Sequence, residues 1–339
     1  MLGPTTEVDV SNERLAILTL TGEGGHPNLI NILTHGWLIN NSVYYIDMNL
    51  CDMNLEDYIY RTAEKIDFVF QAASRAFVSK DSSERIRYDN LLTIMIQITA
   101  GLGFIHGKSQ VHRDLKPRNS IPSALYMLTL IVLYSCEEDL WKITDFGNTS
   151  IGDSMKNFTT SQSRGTPGYR APELLRDESV YTNKVDIWAL GCILYELACG
   201  RKAFNGDYTT LAFALDPNRK PLPFSTVFPT SVEQALHSSF LPMLDLDPLK
   251  RPRVSSANST FQLMWNDDNQ EDLFGKIPNS SNMSNDTQKQ TQAEEKIFAG
   301  IVLHPYKREE GDEMDLIESE TIYNLKRTWE EVSIFLSKI

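Results

Sequence analysis

Three side chains with complementary chemistry lie in Val111-His112-Arg113-Asp114-Leu115-Lys116-Pro117-Arg118-Asn119, and a fourth, Asp145, lies downstream. Asp114 is a carboxylate suited to accept the proton of a hydroxyl. Lys116 places a positive charge two residues on. Asn119 offers a neutral oxygen, and Asp145 a charged one, of the hard type that Mg²⁺ selects. A hydroxyl acceptor, a cation and two hard-metal ligands are what phosphoryl transfer from a metal-bound nucleotide requires. Asp145 opens Asp145-Phe146-Gly147, and Ala171-Pro172-Glu173 follows downstream.

Three ordered motifs carry more weight than any one of them. The first stretch fits H-R-D-L-x-x-x-N at every fixed position, and D-F-G and A-P-E follow in order. On these residues the chain resembles a eukaryotic-type protein kinase over residues 9 to 265. The Lys116-Pro117 pair resembles the serine/threonine class. The resemblance implies ATP and Mg²⁺ as cofactors and a protein substrate bearing Ser or Thr. It implies that Asp114 orients or deprotonates the substrate hydroxyl, that Lys116 offsets phosphoryl charge, and that Asn119 and Asp145 hold Mg²⁺. Among the flanking positions, Glu13 matches the glutamate of helix C and Met48 the gatekeeper. Asn49, Leu50 and Cys51 match the hinge that pairs with adenine.

Further positions follow from the same resemblance. Residues 145 to 173 form an activation segment carrying Thr159, Thr160, Ser161 and Ser163. Arg113, next to Asp114 and after His112, is the kind of arginine that binds a phosphate placed on that segment. Thr166 is expected to help hold Asp114 and Lys116. Asp186, in Asp186-Ile187-Trp188-Ala189-Leu190-Gly191, matches D-x-W-x-x-G and is expected to brace the catalytic-loop backbone. Arg251 is expected to pair with Glu173.

These residues need elements to position them. From Asn12 to Leu18 the pattern turns helical, with Leu15 and Leu18 on one face. Trp37-Leu38-Ile39, Asn40-Asn41 and Val43 to Ile46 read as a β-hairpin. Leu55 to Tyr60 reads as a short helix. Leu91, Met95, Ile98, Leu102 and Ile105 recur at spacings of four and three, an amphipathic helix leading into the catalytic loop. His106 at its end is expected to be a packed structural histidine. Leu140 to Thr144 is a strand delivering Asp145. Val185 to Ala198 is apolar nearly all round, hence a buried helix, and Gly200 is its stop.

Two departures from the family pattern stand out. Residues 1 to 12 contain neither G-x-G-x-x-G nor a lysine. Asn119 and Asp145 are 26 positions apart, and the surplus, Ser120 to Ile131, is mostly apolar. It is either an insertion packed as an apolar plug or, as we favour by hypothesis, translated intervening sequence; codons 120 to 131 in spliced transcripts would sink the second reading.

Composition excludes some classes. A net charge of −13 over 339 residues disfavours nucleic acid and anionic membrane as partners, since both attract a basic face. Four scattered cysteines without C-x-x-C point to reduced thiols in a soluble cytoplasmic or nuclear protein. No basic-then-apolar leader opens the chain, and the run Ala124 to Tyr134 is short of the roughly 20 residues that span a bilayer.

The expected fold is α+β, a protein-kinase-like two-lobe architecture. Residues 1–50 form a small lobe lacking its first strands, with helix C and the last two strands. Residues 51–265 form a mainly helical, nearly complete large lobe. Residues 266–295 read as a disordered linker. In 296–339, Ile322, Leu325, Trp329, Val332 and Leu336 set out an amphipathic helix, docked on the large lobe or binding a protein partner. The expected function is an ATP-dependent serine/threonine protein kinase. The alternative is a catalytically impaired kinase-like scaffold, or an incomplete chain, lacking the Gly-rich loop and the ATP-binding lysine.

Overall fold

A computed structural model describes residues 7–22, 24–37, 44–60, 84–117, 131–152, 158–160, 165–176, 179–266, 298–301 and 321–325. Asn119, Ser161 and Ser163 lie outside these, as do the surplus from 120 to 130 and most of the expected linker. The chain forms two compact units. One holds residues 1–31, 51–121 and 129–267; the other holds 32–50, 122–128 and 268–339.

The first unit opens with helix α1, Glu7–Thr21. Ala16, Ile17 and Leu20 are buried, whereas Leu15 and Leu18 are about half exposed. Leu15 and Leu18 share one face, as expected, and it is the neighbouring stripe of Ala16, Ile17 and Leu20 that turns inward. Helix α2 is Leu55–Tyr60, and α3, Glu84–Gly107, is the long helix ahead of the catalytic loop. By length and composition Arg87–Gly107 is apolar enough to cross a membrane. Here Leu91, Met95, Ile98, Leu102 and Ile105 are buried inside protein, the ordinary fate of a core helix.

Helix α4, Lys184–Cys199, is apolar on all sides and buried almost throughout. Gly200 ends it at φ 65°, with its N–H bonded to the Glu196 carbonyl, the left-handed cap that glycine adopts without a Cβ penalty. Helices α5 (Asp207–Leu215), α6 (Thr230–Phe240) and α7 (Val254–Asn266) follow, and α7 packs along α3.

Short strands deliver the loops. In the second unit β1 (Ile32–Trp37) pairs antiparallel with β2 (Tyr44–Met48), Gly36 opposite Tyr45. The strand begins at Ile32 rather than at the expected Trp37. Residues 38–43 lie outside the described residues. In the first unit β3 (Met53–Asn54), β5 (Val132–Ser135) and β6 (Leu140–Ile143) form a sheet in the order β3-β5-β6. Strand β4 (Gln110–Val111) pairs with β7 (Ser150–Ile151), and β8 (Phe158–Thr160) with β9 (Ser179–Tyr181). The loop from His26 to Ile30 fastens to β6. The Asn28 carbonyl accepts from Ile143 N–H at 2.9 Å, and Asn28 Nδ2 donates to the Trp141 carbonyl at 3.0 Å.

In the second unit β10 (Phe298–Ile301) pairs antiparallel with β11 (Thr321–Leu325). Ile322 and Leu325 therefore lie on a strand, not on the expected terminal helix. Thr-Ile-Tyr at its start favours extended backbone, and this local preference overrides the apolar spacing of three and four. Trp329, Val332 and Leu336 lie outside the described residues.

Candidate active site

The catalytic loop runs from β4 and is held from beneath by α4. The Asp186 carboxylate accepts the backbone N–H of His112 at 2.9 Å and of Arg113 at 2.7 Å. It also accepts Nε2–H of His106 at 2.8 Å. Buried backbone N–H groups must find acceptors, and two successive ones here point at one side chain because Arg113 adopts φ 66°. Burial alone would push the Asp186 carboxyl up. The His106 hydrogen bond, the electrostatic pull of the His106 and His112 side chains, and the Arg113 N–H outweigh it and hold the carboxyl below the usual aspartate value.

His112 is fully buried. Its Nε2 lies 3.0 Å from the Thr144 carbonyl, so Nε2 donates, and Nδ1 is left to accept the N–H of Asp114 at 3.4 Å. Its ring meets Phe146 edge-on with centroids 6.2 Å apart. One histidine thus joins the catalytic loop to the strand-to-turn segment that carries Asp145.

Around Asp114 the side chains close a small polar ring. Lys116 Nζ donates to Asp114 Oδ2 at 2.9 Å and also to the Thr166 hydroxyl. The Thr166 hydroxyl in turn donates to Asp114 Oδ1 at 2.7 Å. All three residues are buried. The loop bearing Thr166 passes hard against the catalytic loop at Gly165, which has φ 103°. A Cβ there would sit 2.7 Å from the Arg113 carbonyl oxygen. A side chain at that position would force Thr166 away from Asp114.

Asp145 stands at φ 60°, ψ 77°, ahead of a single 3₁₀ turn, Phe146–Asn148. Its Oδ1 accepts Gly147 N–H at 3.3 Å. Helix α1, which carries the half-buried Glu13, packs on this turn. The helix that bears Glu13 is thus packed on the turn that follows Asp145. Met48, Asn49 and Leu50 belong to the second unit; Met48 pairs with Ile32 there, and Leu50 is exposed. Cys51 belongs to the first unit, and burial pushes its thiol up to about 12.

Arg113 is engaged by its own surroundings. Nε donates to the Asn148 carbonyl at 2.8 Å, Nη1 donates to the Tyr181 hydroxyl at 3.2 Å, and the guanidinium lies 5.2 Å from the Tyr181 ring centroid. In the activation segment Thr159 pairs with Val180 and Thr160 with Ser179. Arg251 is buried and grips Glu173 with both terminal nitrogens, at 2.6 and 2.8 Å, while Nε donates to the Asp245 carbonyl at 2.8 Å.

Two groups escaped the sequence reading. Asn148 donates to Asp114 Oδ2 at 3.1 Å; its place directly after D-F-G is the signal that could have exposed it. Glu196 is a fully buried acid that takes the hydroxyl of Tyr60 at 2.6 Å and that of Tyr169. Its position in an unbroken apolar helix was the only clue, since a buried charge demands partners.

Among known proteins, the Protein kinase domain family profile matches residues 6–265. The chain belongs to the protein kinase family. It is 33% identical over 165 residues to "Serine/threonine-protein kinase PDK1" of Cryptococcus neoformans, covering 47% of this chain and 12% of that protein. It is 35% identical over 166 residues to "3-phosphoinositide-dependent protein kinase B" of Dictyostelium discoideum, covering 48% and 16%. It is 30% identical over 235 residues to "Probable serine/threonine-protein kinase nek3" of the same organism, covering 67% and 18%. The matched stretch thus spans under a fifth of each of these relatives. All three are protein kinases by name, and the first and third are serine/threonine kinases by name, which supports the class for this chain.

Proposed function

We propose that this chain binds ATP with Mg²⁺ and transfers a phosphoryl group to serine or threonine hydroxyls of proteins. The observation that carries the reading is the buried ring of Asp114, Lys116 and Thr166, seated on a loop whose backbone is bonded to Asp186. Such fixing positions a carboxylate for one hydroxyl without reorganisation. Asp114 meets the substrate hydroxyl and takes up its proton, and Lys116 faces the charge beside it. Phosphorylation among residues 159 to 163 would compete for Arg113.

Asp145 fits a metal that arrives with phosphates. It is a hard oxygen donor fixed by its turn, and no group of three or more acidic, histidine or cysteine side chains among the described residues forms a metal cage of its own. Mg²⁺ is commonly bound through one or two protein ligands plus substrate phosphates; Asp145 and Asn119 would hold it, and it would supply charge neutralisation at the phosphates.

The test is the unfolding temperature of the 339-residue chain with Mg²⁺ and ATP, beside Asp145→Asn. A ligand at about 100 times its dissociation constant adds about 2.7 kcal/mol. A shift in the parent that the variant loses is the expected result. No shift in a folded parent would favour the other reading, a kinase-like protein that binds partners without turnover. That reading draws on one sequence feature: residues 1–12 contain neither G-x-G-x-x-G nor a lysine.

A further inference from the structure

Asp114 offers two oxygens, and they are not equivalent. Each carboxylate oxygen has room for about two donors. Oδ2 already receives Lys116 Nζ at 2.9 Å and Asn148 Nδ2 at 3.1 Å. Oδ1 receives only the Thr166 hydroxyl, at 2.7 Å, among the described residues. Because a carboxylate facing these donors only accepts, the nitrogen end of the Asn148 amide must face it, which settles the orientation of that side chain.

We propose that Asn148 is a positioning residue: together with Lys116 it fills Oδ2 of Asp114 and leaves Oδ1 as the oxygen that meets the substrate hydroxyl. This rests on the reading above that Asp114 receives that proton.

Asn148 is built to do this. Its backbone carbonyl accepts Arg113 Nε at 2.8 Å, so consecutive residues of the catalytic loop grip its main chain and its side chain. It ends the turn that Asp145 begins, and that turn is closed by Thr149 N–H on the Phe146 carbonyl at 2.9 Å. Asn148 is therefore held three positions from Asp145 and in contact with Asp114. It ties the orientation of the proton acceptor to the conformation of the segment bearing the proposed metal ligand. An apolar residue of the same shape would leave Oδ2 half-filled and let the carboxylate rotate about its terminal torsion.

The test compares Asn148→Leu, which keeps the shape, and Asn148→Asp, which replaces the donor with a second acceptor, in the full chain. With casein and Mg²⁺-ATP, kcat is expected to fall about tenfold in the leucine variant, the size of one hydrogen bond to a charged group. KM for ATP should stay within about twofold, since the lost contact bears on the acceptor side. The aspartate variant should fall further. Unchanged kcat in the leucine variant of an active parent overturns the proposal.

A second readout does not need turnover. Asn148→Leu should lower the unfolding temperature of the parent but leave that of Asp114→Ala almost unchanged, because the contact is already gone. Equal losses in the two backgrounds overturn the proposal whatever the kinetics show. Non-additive losses in a chain that never transfers phosphate would keep the contact and sink the kinase reading instead.

Discussion

Helix α4 carries two fully buried carboxylates, Asp186 and Glu196, about 15 Å apart along its axis. Burial acts on them in the same direction, yet they end in opposite states. Asp186 is held below the ordinary aspartate value, because two backbone N–H groups and an imidazole point at it. Glu196 is pushed above the ordinary glutamate value: burial dominates, and the phenols of Tyr169 and Tyr60 and the charge of Lys202 pull down less. The donors, not the depth, decide ionisation. The difference divides the work of the helix. The charged end fixes the catalytic loop. The other end ties the tail of α2 to the activation segment through hydroxyls.

Removing the charged anchor is the hardest test of that division. Asp186→Ala leaves two buried N–H groups and His106 without their acceptor, and should cost about 3–5 kcal/mol in urea unfolding. It should also abolish any phosphoryl transfer, because the backbone bearing Asp114 loses its seat. A loss below about 1 kcal/mol would mean that the loop holds its shape unaided. Arg251→Lys comes next. The guanidinium lies 5.0 Å from the Trp188 ring centroid on the same half of α4, and it serves Glu173 twice, the Asp245 carbonyl, and the Lys184 carbonyl at 3.0 Å. An ammonium cannot reproduce that fork. The expected loss is about 2–3 kcal/mol with the site chemistry intact. A neutral outcome would show that one positive charge suffices at this end of α4 and that the fork is dispensable.

The two ends also differ in how far the sequence disclosed them. The position of Asp186 was legible because D-x-W-x-x-G is a spaced pattern, and a carboxylate in an apolar helix needs N–H partners. Glu196 has no such pattern around it. Its partners lie 136 and 27 positions away in sequence, so only the tertiary fold joins them. Asn148 was hidden for a related reason: an asparagine in a loop is ordinarily a turn residue, and its contact with Asp114 spans 34 positions. Periodicity failed where it was ambiguous. Helix α1 has two apolar stripes, and only packing selects Ala16, Ile17 and Leu20 over Leu15 and Leu18. The long helix α3 and the buried helix α4 were readable, since their patterns leave one solution.

A change of pH should separate the two acids with opposite signs. A carboxyl raised in the folded state binds its proton more readily there than in the unfolded chain. Glu196 therefore makes stability fall as pH rises from the ordinary glutamate value of 4.5 to its raised folded value. Asp186 does the reverse: its stabilisation is present above the ordinary 3.8 and is lost as pH drops through that value toward its lowered one. Glu196→Gln should thus flatten the profile above pH 4.5 and cost within about 1 kcal/mol at neutral pH. Unfolding measured from pH 3 to 8 (a range set about the carboxylate values) checks the sign. A profile unchanged by Glu196→Gln would mean that the acid titrates alike in the folded and the unfolded chain, and would erase the contrast.

The smallest expected effect is the most specific. Tyr60 ends α2, and its hydroxyl donates to Glu196 at 2.6 Å, while Tyr169 holds the other oxygen. Burial and the facing carboxyl both keep the Tyr60 phenol protonated, so the bond joins a neutral donor to an acid that is itself drawn toward neutrality. Such a bond is worth about 1 kcal/mol. Tyr60→Phe should cost that much in the parent and almost nothing in Glu196→Leu, where neither phenol has an acceptor. With one donor gone, the Glu196 carboxyl should rise further, and the loss of stability with pH should begin from the same ordinary value and continue to a higher pH. Were the bond instead to a fixed charge like that of Asp186, the same substitution would cost about 1.5–3 kcal/mol. The size of this one loss therefore measures how charged the far end of α4 is.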